Sequence, residues 1–257
     1  MTRTAIVPTM GALHDGHLAL VHRARELADR VVVSIFVNPT QFGAGEDFAR
    51  YPRTLDADRV LLDGLAEVFV PTVAEVYPTD NPPPVIHAGP MGDLWDGAAR
   101  PGHFDGVLTV VNRLFDLVKP DVAVFGEKDW QQLTLIRVMV TERHVPIDII
   151  GVPTVREPSG LALSSRNRFL NPDELEKAAL LPVVLRQIAE SGGTSESIIR
   201  GAARLDDAGF MVDYLDVVDE NTLEPTIDSA NARAIIAARL GSTRLIDNMP
   251  VAPAAER

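Results

Sequence analysis

The chain has 257 residues, 46% of them hydrophobic, no cysteine and a formal net charge of -12, and a chain of this length fits one large domain or an ordinary one with a smaller partner, of which we expect the second. Without cysteine there are no disulfides, thiolate metal sites or enzyme-bound thioesters, and the acidic balance argues against a nucleic-acid surface, which needs clustered Lys and Arg. No apolar run is long enough to span a bilayer and the chain opens on a strand-like segment instead of a signal peptide, so the expectation is a soluble, cytoplasmic protein with no membrane partner.

Thr4 to Val7 reads as a short buried strand. A helix follows, with Leu20, Val21, Ala24, Leu27 and Ala28 recurring at three- and four-residue spacing, and then Val31 to Val37 forms a continuous β-branched and aromatic run, completing a βαβ pattern. Asp56 to Ala66 predicts a helix and Val68 to Val70 a strand, while Pro78 to Pro84 is too proline-rich for either. Gly106 to Val118 is helical, Asp121 to Phe125 is a strand, Trp130 to Arg143 is a helix and Ile147 to Val155 is a strand.

The pattern then changes. Asn171-Pro172-Asp173-Glu174 has the chemistry of a helix start, with the helix running to about Ser191 before Gly192-Gly193 stops it. Thr194 to Gly209 predicts a second helix, and Met211 to Val218, Ala232 to Ala238 and Arg244 to Asp247 predict a small antiparallel sheet. The tail after Val251 reads as frayed. The fold class is therefore α/β: a Rossmann-like parallel-sheet domain over residues 1–156 and a smaller α+β domain over 157–257.

Polar clusters fall where the strands of the first domain end, which is where such sheets bind ligands. In Pro8-Thr9-Met10-Gly11-Ala12-Leu13-His14-Asp15-Gly16-His17 two imidazoles stand at a strand-to-helix junction. A helix N-terminus offers unpaired N–H groups and partial positive charge, which suits phosphate. A metal pair and ordinary capping histidines remain open alternatives, although helical zinc pairs favour i, i+4 spacing. Asn38-Pro39-Thr40-Gln41-Phe42-Gly43 places amides at the next strand end, where a turn with a solvated Gln is the simpler reading. In Arg100-Pro101-Gly102-His103-Phe104 the Arg is equally well a contact for a carboxylate or phosphate or a solvated side chain. Gly126-Glu127-Lys128-Asp129-Trp130-Gln131-Gln132 sets a cation among carboxylates and amides, and Leu163-Ser164-Ser165-Arg166-Asn167 offers hydroxyls and a guanidinium beyond the hinge-like Glu157-Pro158-Ser159-Gly160.

In this order, PTMGALHDGH, FVNPTQFG, YPRT, GEKDWQQL and LALSSRNRFL, continuing to RLIDN, the chain closely resembles the pantothenate synthetases, ATP-dependent ligases that join pantoate to β-alanine. Family members usually carry a longer segment before the strand leading into PTMG. The resemblance implies a Rossmann-like domain with a C-terminal lid, assembled as a homodimer. It implies ATP contacts at Met10, Gly11, Ala12, Leu13, His14, Asp15, Gly16 and His17, at Gly126, Glu127, Lys128 and Asp129, at Val155, and at Leu163, Ser164, Ser165 and Arg166. By the same carry-over His17 is a proton donor, Gln41 faces pantoate and β-alanine, and Gln132 faces pantoate. The implied route is adenylation of pantoate followed by amide formation, with Mg²⁺, His14, His17, Lys128, Ser164, Ser165 and Arg166 stabilising the transition state. The competing readings are a nucleotidylyltransferase that leaves the nucleotide on its product, and a nucleotide-sensing module without catalysis.

Overall fold

The computed structural model describes residues 2–43, 45–226 and 231–251. The chain divides into two compact units, the first comprising residues 1–127 and 131–153 and the second comprising 128–130 and 154–257.

The first unit is built on five strands in the order β3-β2-β1-β4-β5, every neighbouring pair parallel. Their bounds are β1 (Thr4–Thr9), β2 (Arg30–Ile35), β3 (Glu67–Phe69), β4 (Val122–Gly126) and β5 (Asp148–Val152). Continuous runs such as Val31-Val32-Val33 suit strands covered on both faces. Helices α1 (Asp15–Leu27) and α2 (Leu55–Leu62) contribute to the cover, with Leu20, Val21, Ala24 and Leu62 packed against Ala5, Val7, Val33, Val122 and Val124. Three short helices follow: α3 (Val73–Val76), α4 (Gly89–Gly92) and α5 (Trp95–Ala99). The longer α6 (His103–Val118) and α7 (Trp130–Glu142) complete this part of the chain.

Chain order runs outward from β1 to β3 on one side and from β4 to β5 on the other, so the direction of winding reverses between β1 and β4. The loops leaving their carboxyl ends diverge at that reversal, and the crevice there is where doubly wound sheets bind ligands. Pro8 to His17 follows β1, and Glu127 follows β4.

The second unit packs α8 (Pro172–Ala178), α9 (Leu180–Glu190) and α10 (Ser195–Asp207) with an antiparallel sheet, β6 (Met211–Asp219), β7 (Ala232–Leu240) and β8 (Thr243–Pro250), in that spatial order. Its core gathers Leu181, Val184, Leu185, Ile188, Leu205, Phe210, Val217 and Ile236. Gly192 and Gly193, at φ +73° and +74°, turn the chain between α9 and α10 in the region that favours glycine.

Several boundaries depart from expectation for local reasons. The single helix expected from Asn171 to about Ser191 is two, broken at Ala179, because Pro182 has no N–H to give the Ala178 carbonyl four residues back. Asn171 does cap it as read: its Oδ1 accepts from the Glu174 N–H at 2.9 Å, and Glu174 accepts from the Asn171 N–H at 2.9 Å. The helix expected to reach Ala66 ends at Leu62, where Gly64 (φ +69°) turns the chain. The fourth long strand run stops at Val152, before Pro153. The tail beyond Val251 lies outside the described residues.

Candidate active site

The turn after β1 is held from a distance. Asp58, buried at 1% exposure on α2, accepts from the Ala12 N–H at 3.0 Å and the Leu13 N–H at 2.9 Å, while its Oδ1 also takes the Thr54 hydroxyl at 3.1 Å. Gly11 has φ +80°, and a Cβ there would lie 3.0 Å from both Asp58 Oδ2 and Ile35 Cγ2. Only glycine fits this approach without displacing its neighbours.

His14 and His17 are capping residues. The Nδ1 of His14 accepts from the Gly16 N–H at 3.1 Å, and the Nδ1 of His17 accepts from the His14 N–H at 3.3 Å, a reciprocal box in which imidazoles take the usual places of Ser and Glu. An Nδ1 that accepts is unprotonated, so each neutral ring carries its proton on Nε2, the nitrogen facing away from the cap. The ring centroids are 4.2 Å apart.

The donors offered by this turn therefore differ from the sequence expectation. Backbone N–H groups of Gly11, Ala12, Leu13, His14 and Gly16 are engaged by Thr9, Asp58 and the two imidazoles. The two imidazoles use Nδ1 for the cap, which leaves Nε2 as the ring nitrogen outside it. No group of three or more His, Asp or Glu side chains placed to hold a metal ion occurs among the described residues.

After β2, Asn38 is 1% exposed and organises its loop. Its Nδ2 donates to the Gly106 carbonyl and to Gln41 Oε1, both at 3.1 Å, and its Oδ1 accepts from the Tyr77 hydroxyl at 2.8 Å and the Thr40 hydroxyl at 3.0 Å. Gly106 lets α6 approach: a Cβ there would lie 2.5 Å from the Thr40 carbonyl oxygen. The Gln41 amide nitrogen points to Met10 Sδ at 3.4 Å, so the first two motifs meet.

In the Arg100 to His103 loop Pro101 and Gly102 are exposed, but the two polar side chains are partnered within the protein. Its Arg100 guanidinium pairs with Glu46 through two bonds of 2.7 Å and donates to the Gln41 carbonyl at 3.3 Å. His103 Nδ1 lies 2.8 Å from the same carbonyl and its Nε2 lies 2.9 Å from Arg100 Nη1. Those partners require the Nδ1–H tautomer. Burial, and then the Arg100 charge, lower the His103 pKa from 6.5 to about 4, so the ring is neutral at ordinary pH. The same guanidinium holds the Glu46 carboxyl below the usual carboxylate range.

The two adjacent amides of GEKDWQQ separate by environment. Gln131, 8% exposed, uses its side chain on α4, α5 and the link between them, accepting from the Asp96 N–H at 3.1 Å and donating to the carbonyls of Met91 and Leu94 at 3.0 and 2.9 Å. Gln132 is partly exposed on the same helix.

In the second unit, Glu157-Pro158-Ser159-Gly160 is the tight turn of a short hairpin, closed by Gly160 N–H to the Glu157 carbonyl and by an Arg156–Ala162 bridge. It lies inside that unit, shortly past the division at residue 153. Val155 accepts from the Leu163 N–H at 2.9 Å. Ser164 caps a 3₁₀ turn (Ser165–Phe169) by accepting from the Arg166 N–H at 3.2 Å, and Ser165 is 8% exposed. Lys128 and Asp129 also belong to this unit, their side chains 3.7 Å apart.

Asp58, Tyr77 and the carbonyl clamp on Gln41 were absent from the sequence reading of the site. Asp58 had one available signal, an acidic residue in the first turn of α2, but nothing local says whose N–H groups it takes.

Comparison with known proteins agrees with this architecture. Residues 1–250 match the Pantoate-beta-alanine ligase family. The chain is 53% identical over 258 residues to the pantothenate synthetase of Acidothermus cellulolyticus, covering 96% of this chain and 85% of that one. The crystal structure of pantothenate synthetase from Thermus thermophilus superposes with a TM-score of 0.93 at 49% identity, covering 98% of this chain and 94% of that one. A pantoate-beta-alanine ligase from Francisella tularensis, solved as a complex with beta-gamma ATP and beta-alanine, gives 0.82 at 36% identity over 97% of this chain and 90% of that one. The chain belongs to the pantoate-beta-alanine ligase family.

Proposed function

We propose that the protein condenses pantoate with β-alanine at the expense of ATP, giving pantothenate, AMP and pyrophosphate. The observation that carries this reading is the turn after β1, where the buried Asp58 and a reciprocal His14–His17 cap hold two imidazoles at the reversal point of a parallel sheet.

A carboxylate is a poor acyl donor because oxide is a poor leaving group. In the first step an oxygen of the pantoate carboxylate attacks the α-phosphorus of ATP and pyrophosphate leaves, so a mixed anhydride, pantoyl-adenylate, replaces the carboxylate. In the second step the β-alanine amine attacks the acyl carbon, AMP leaves, and the amine gives up a proton. Charge grows on the phosphoryl oxygens in the first step, and positioned donors are the main source of rate there.

His14 and His17 are the imidazole donors, His17 giving a hydrogen bond or proton to the departing phosphates. Lys128, Ser164, Ser165 and Arg166 supply the remaining positive and hydroxyl donors, and Met10 to His17, Gly126 to Asp129, Val155 and Leu163 to Arg166 line the nucleotide. Gln41, with its backbone clamped and its amide against Met10, faces both acid substrates, and Gln132 faces pantoate. Mg²⁺ supplies charge neutralisation when bound with the nucleotide; the half-exposed Asp129 carboxylate would hold it, since this ion is held by one or two carboxylates plus phosphate oxygens.

The assignment of residues 1–156 to ATP and pantoate and of 157–257 to a lid over the labile adenylate belongs to the same proposal. So do a homodimeric assembly, to be read by analytical ultracentrifugation, and a cytoplasmic location. The deciding experiment is pyrophosphate release from ATP, Mg²⁺ and pantoate, with and without β-alanine. Pantoate-dependent pyrophosphate and β-alanine-dependent AMP are expected. A product that retains the nucleotide, or ATP binding with no turnover, would overturn the ligase reading.

A further inference from the structure

The segment 128–130 is held at two points by residues far away in sequence. The Asn248 Nδ2 on β8 donates to the Lys128 carbonyl at 2.8 Å. Two residues on, the Trp130 indole donates to the Glu220 carbonyl at 3.2 Å, and the Arg233 guanidinium carbon stacks 3.5 Å from its ring centroid. Arg233 joins the two anchors: it donates to Asn248 Oδ1 at 2.6 Å and pairs with the Glu220 carboxylate at 2.7 Å. Arg233 and Asn248 are 6% and 5% exposed. The next residue along β8, Asp247, accepts two bonds from Arg156 at 2.7 and 3.0 Å, and Arg156 also reaches the Asn248 carbonyl at 3.2 Å.

Burying a guanidinium carries a large desolvation penalty, and such groups often contribute more to defining one geometry than to stability. Here the geometry defined is the backbone of residues 128–130. The Lys128 side chain is 19% exposed and its ammonium has only a long 3.7 Å ion pair with Asp129, so a shift of the backbone that carries it moves the ammonium with it.

We propose that Asn248, with Arg233 behind it, is a positioning residue for Lys128 in the adenylation step. This rests on the reading above in which Lys128 contacts the ATP phosphates. Asn248 orients the peptide that carries the cation and does not touch substrate, and Trp130 with Arg233 keeps that peptide from rotating. A displacement of about 1 Å at a charged group is enough to lose a factor on the order of a hundred in rate.

The test uses Asn248→Asp, which retains the acceptor for Arg233 but exchanges the donor facing the Lys128 carbonyl for an oxygen. Pantoate-dependent pyrophosphate release is expected to fall by about tenfold or more, with KM for ATP raised and KM for β-alanine unchanged. In a Lys128→Ala background the same substitution should change the rate less than about twofold, since its effect runs through the lysine. Should Asn248→Asp not fold, Trp130→Phe replaces it, retaining the ring for Arg233 and losing the indole N–H, with the same non-additive pattern expected. Equal losses with and without Lys128, or an unchanged KM for ATP, overturn the positioning role while leaving the ligase reading intact. Wild-type protein that releases no pyrophosphate overturns the ligase reading itself.

Discussion

Asp58 and Ala12 are 46 residues apart, yet a 3.0 Å bond between the buried carboxylate and the Ala12 N–H fixes the turn that carries both histidines. In Asp58→Asn one oxygen becomes an NH₂ group facing either Ala12 N–H or Leu13 N–H, leaving a buried donor unmatched. The expected loss is about 2 kcal/mol of stability, read by denaturant unfolding, together with a fall in pyrophosphate release as the turn shifts.

Gly11→Ala tests the same contact from the other side. An alanine at φ +80° is strained by about 1–2 kcal/mol, and its Cβ would press on Asp58 and Ile35. Reduced thermal stability and reduced affinity for ATP, measured by calorimetry, are expected together.

The cap that His17 makes and the donor role proposed for it can be separated. Glutamine is the residue that normally fills the third helical position of a capping box, so His17→Gln retains the cap and loses the imidazole. Its adenylation rate should fall by about 3 kcal/mol, roughly a hundredfold, at near-wild-type stability. His17→Ala should show the same rate loss plus about 1 kcal/mol of destabilisation.

The buried imidazole of His103 makes stability depend on pH with a definite sign. Its folded pKa of about 4 lies below the ordinary 6.5. Above pH 6.5 the ring is neutral folded or unfolded, and its contribution is complete. As pH falls from 6.5 to about 4 the unfolded chain takes up a proton that the folded protein refuses, so stability drops, by no more than about 3 kcal/mol. Glu46, held low by Arg100, adds a loss of the same sign as the pH falls further. His103→Gln can still donate to the Gln41 carbonyl and accept from Arg100 without titrating. Denaturant unfolding across this pH range should show a flatter dependence in that variant.

What could be read from residues alone was whatever neighbours along the chain encode. Strand runs such as Val31 to Val33, the helical stripe Leu20-Val21-Ala24, the cap at Asn171 and the glycine stop at Gly192-Gly193 each act within a few residues, and all lie where the pattern put them. The HxGH spacing belongs to this class, as does the ordered set of motifs that marked the family. Pro182 was equally local, but the apolar stripe around it masked the break it causes.

Folding decided which groups each motif touches. Asn38, read as an ordinary turn residue, became the centre of its loop through Tyr77 and Gly106, and the Arg100 loop closed on the Gln41 carbonyl. Lys128 acquired its anchors from Asn248 and, through Trp130, from Arg233, more than a hundred residues away. A hydrogen bond between distant residues leaves no periodicity in the chain, because either partner alone is a common polar residue whose burial depends on everything packed around it. Chain-local physics thus settled the elements and the motif set, while the pairing of buried polar groups that orients the site arose only when distant segments came together.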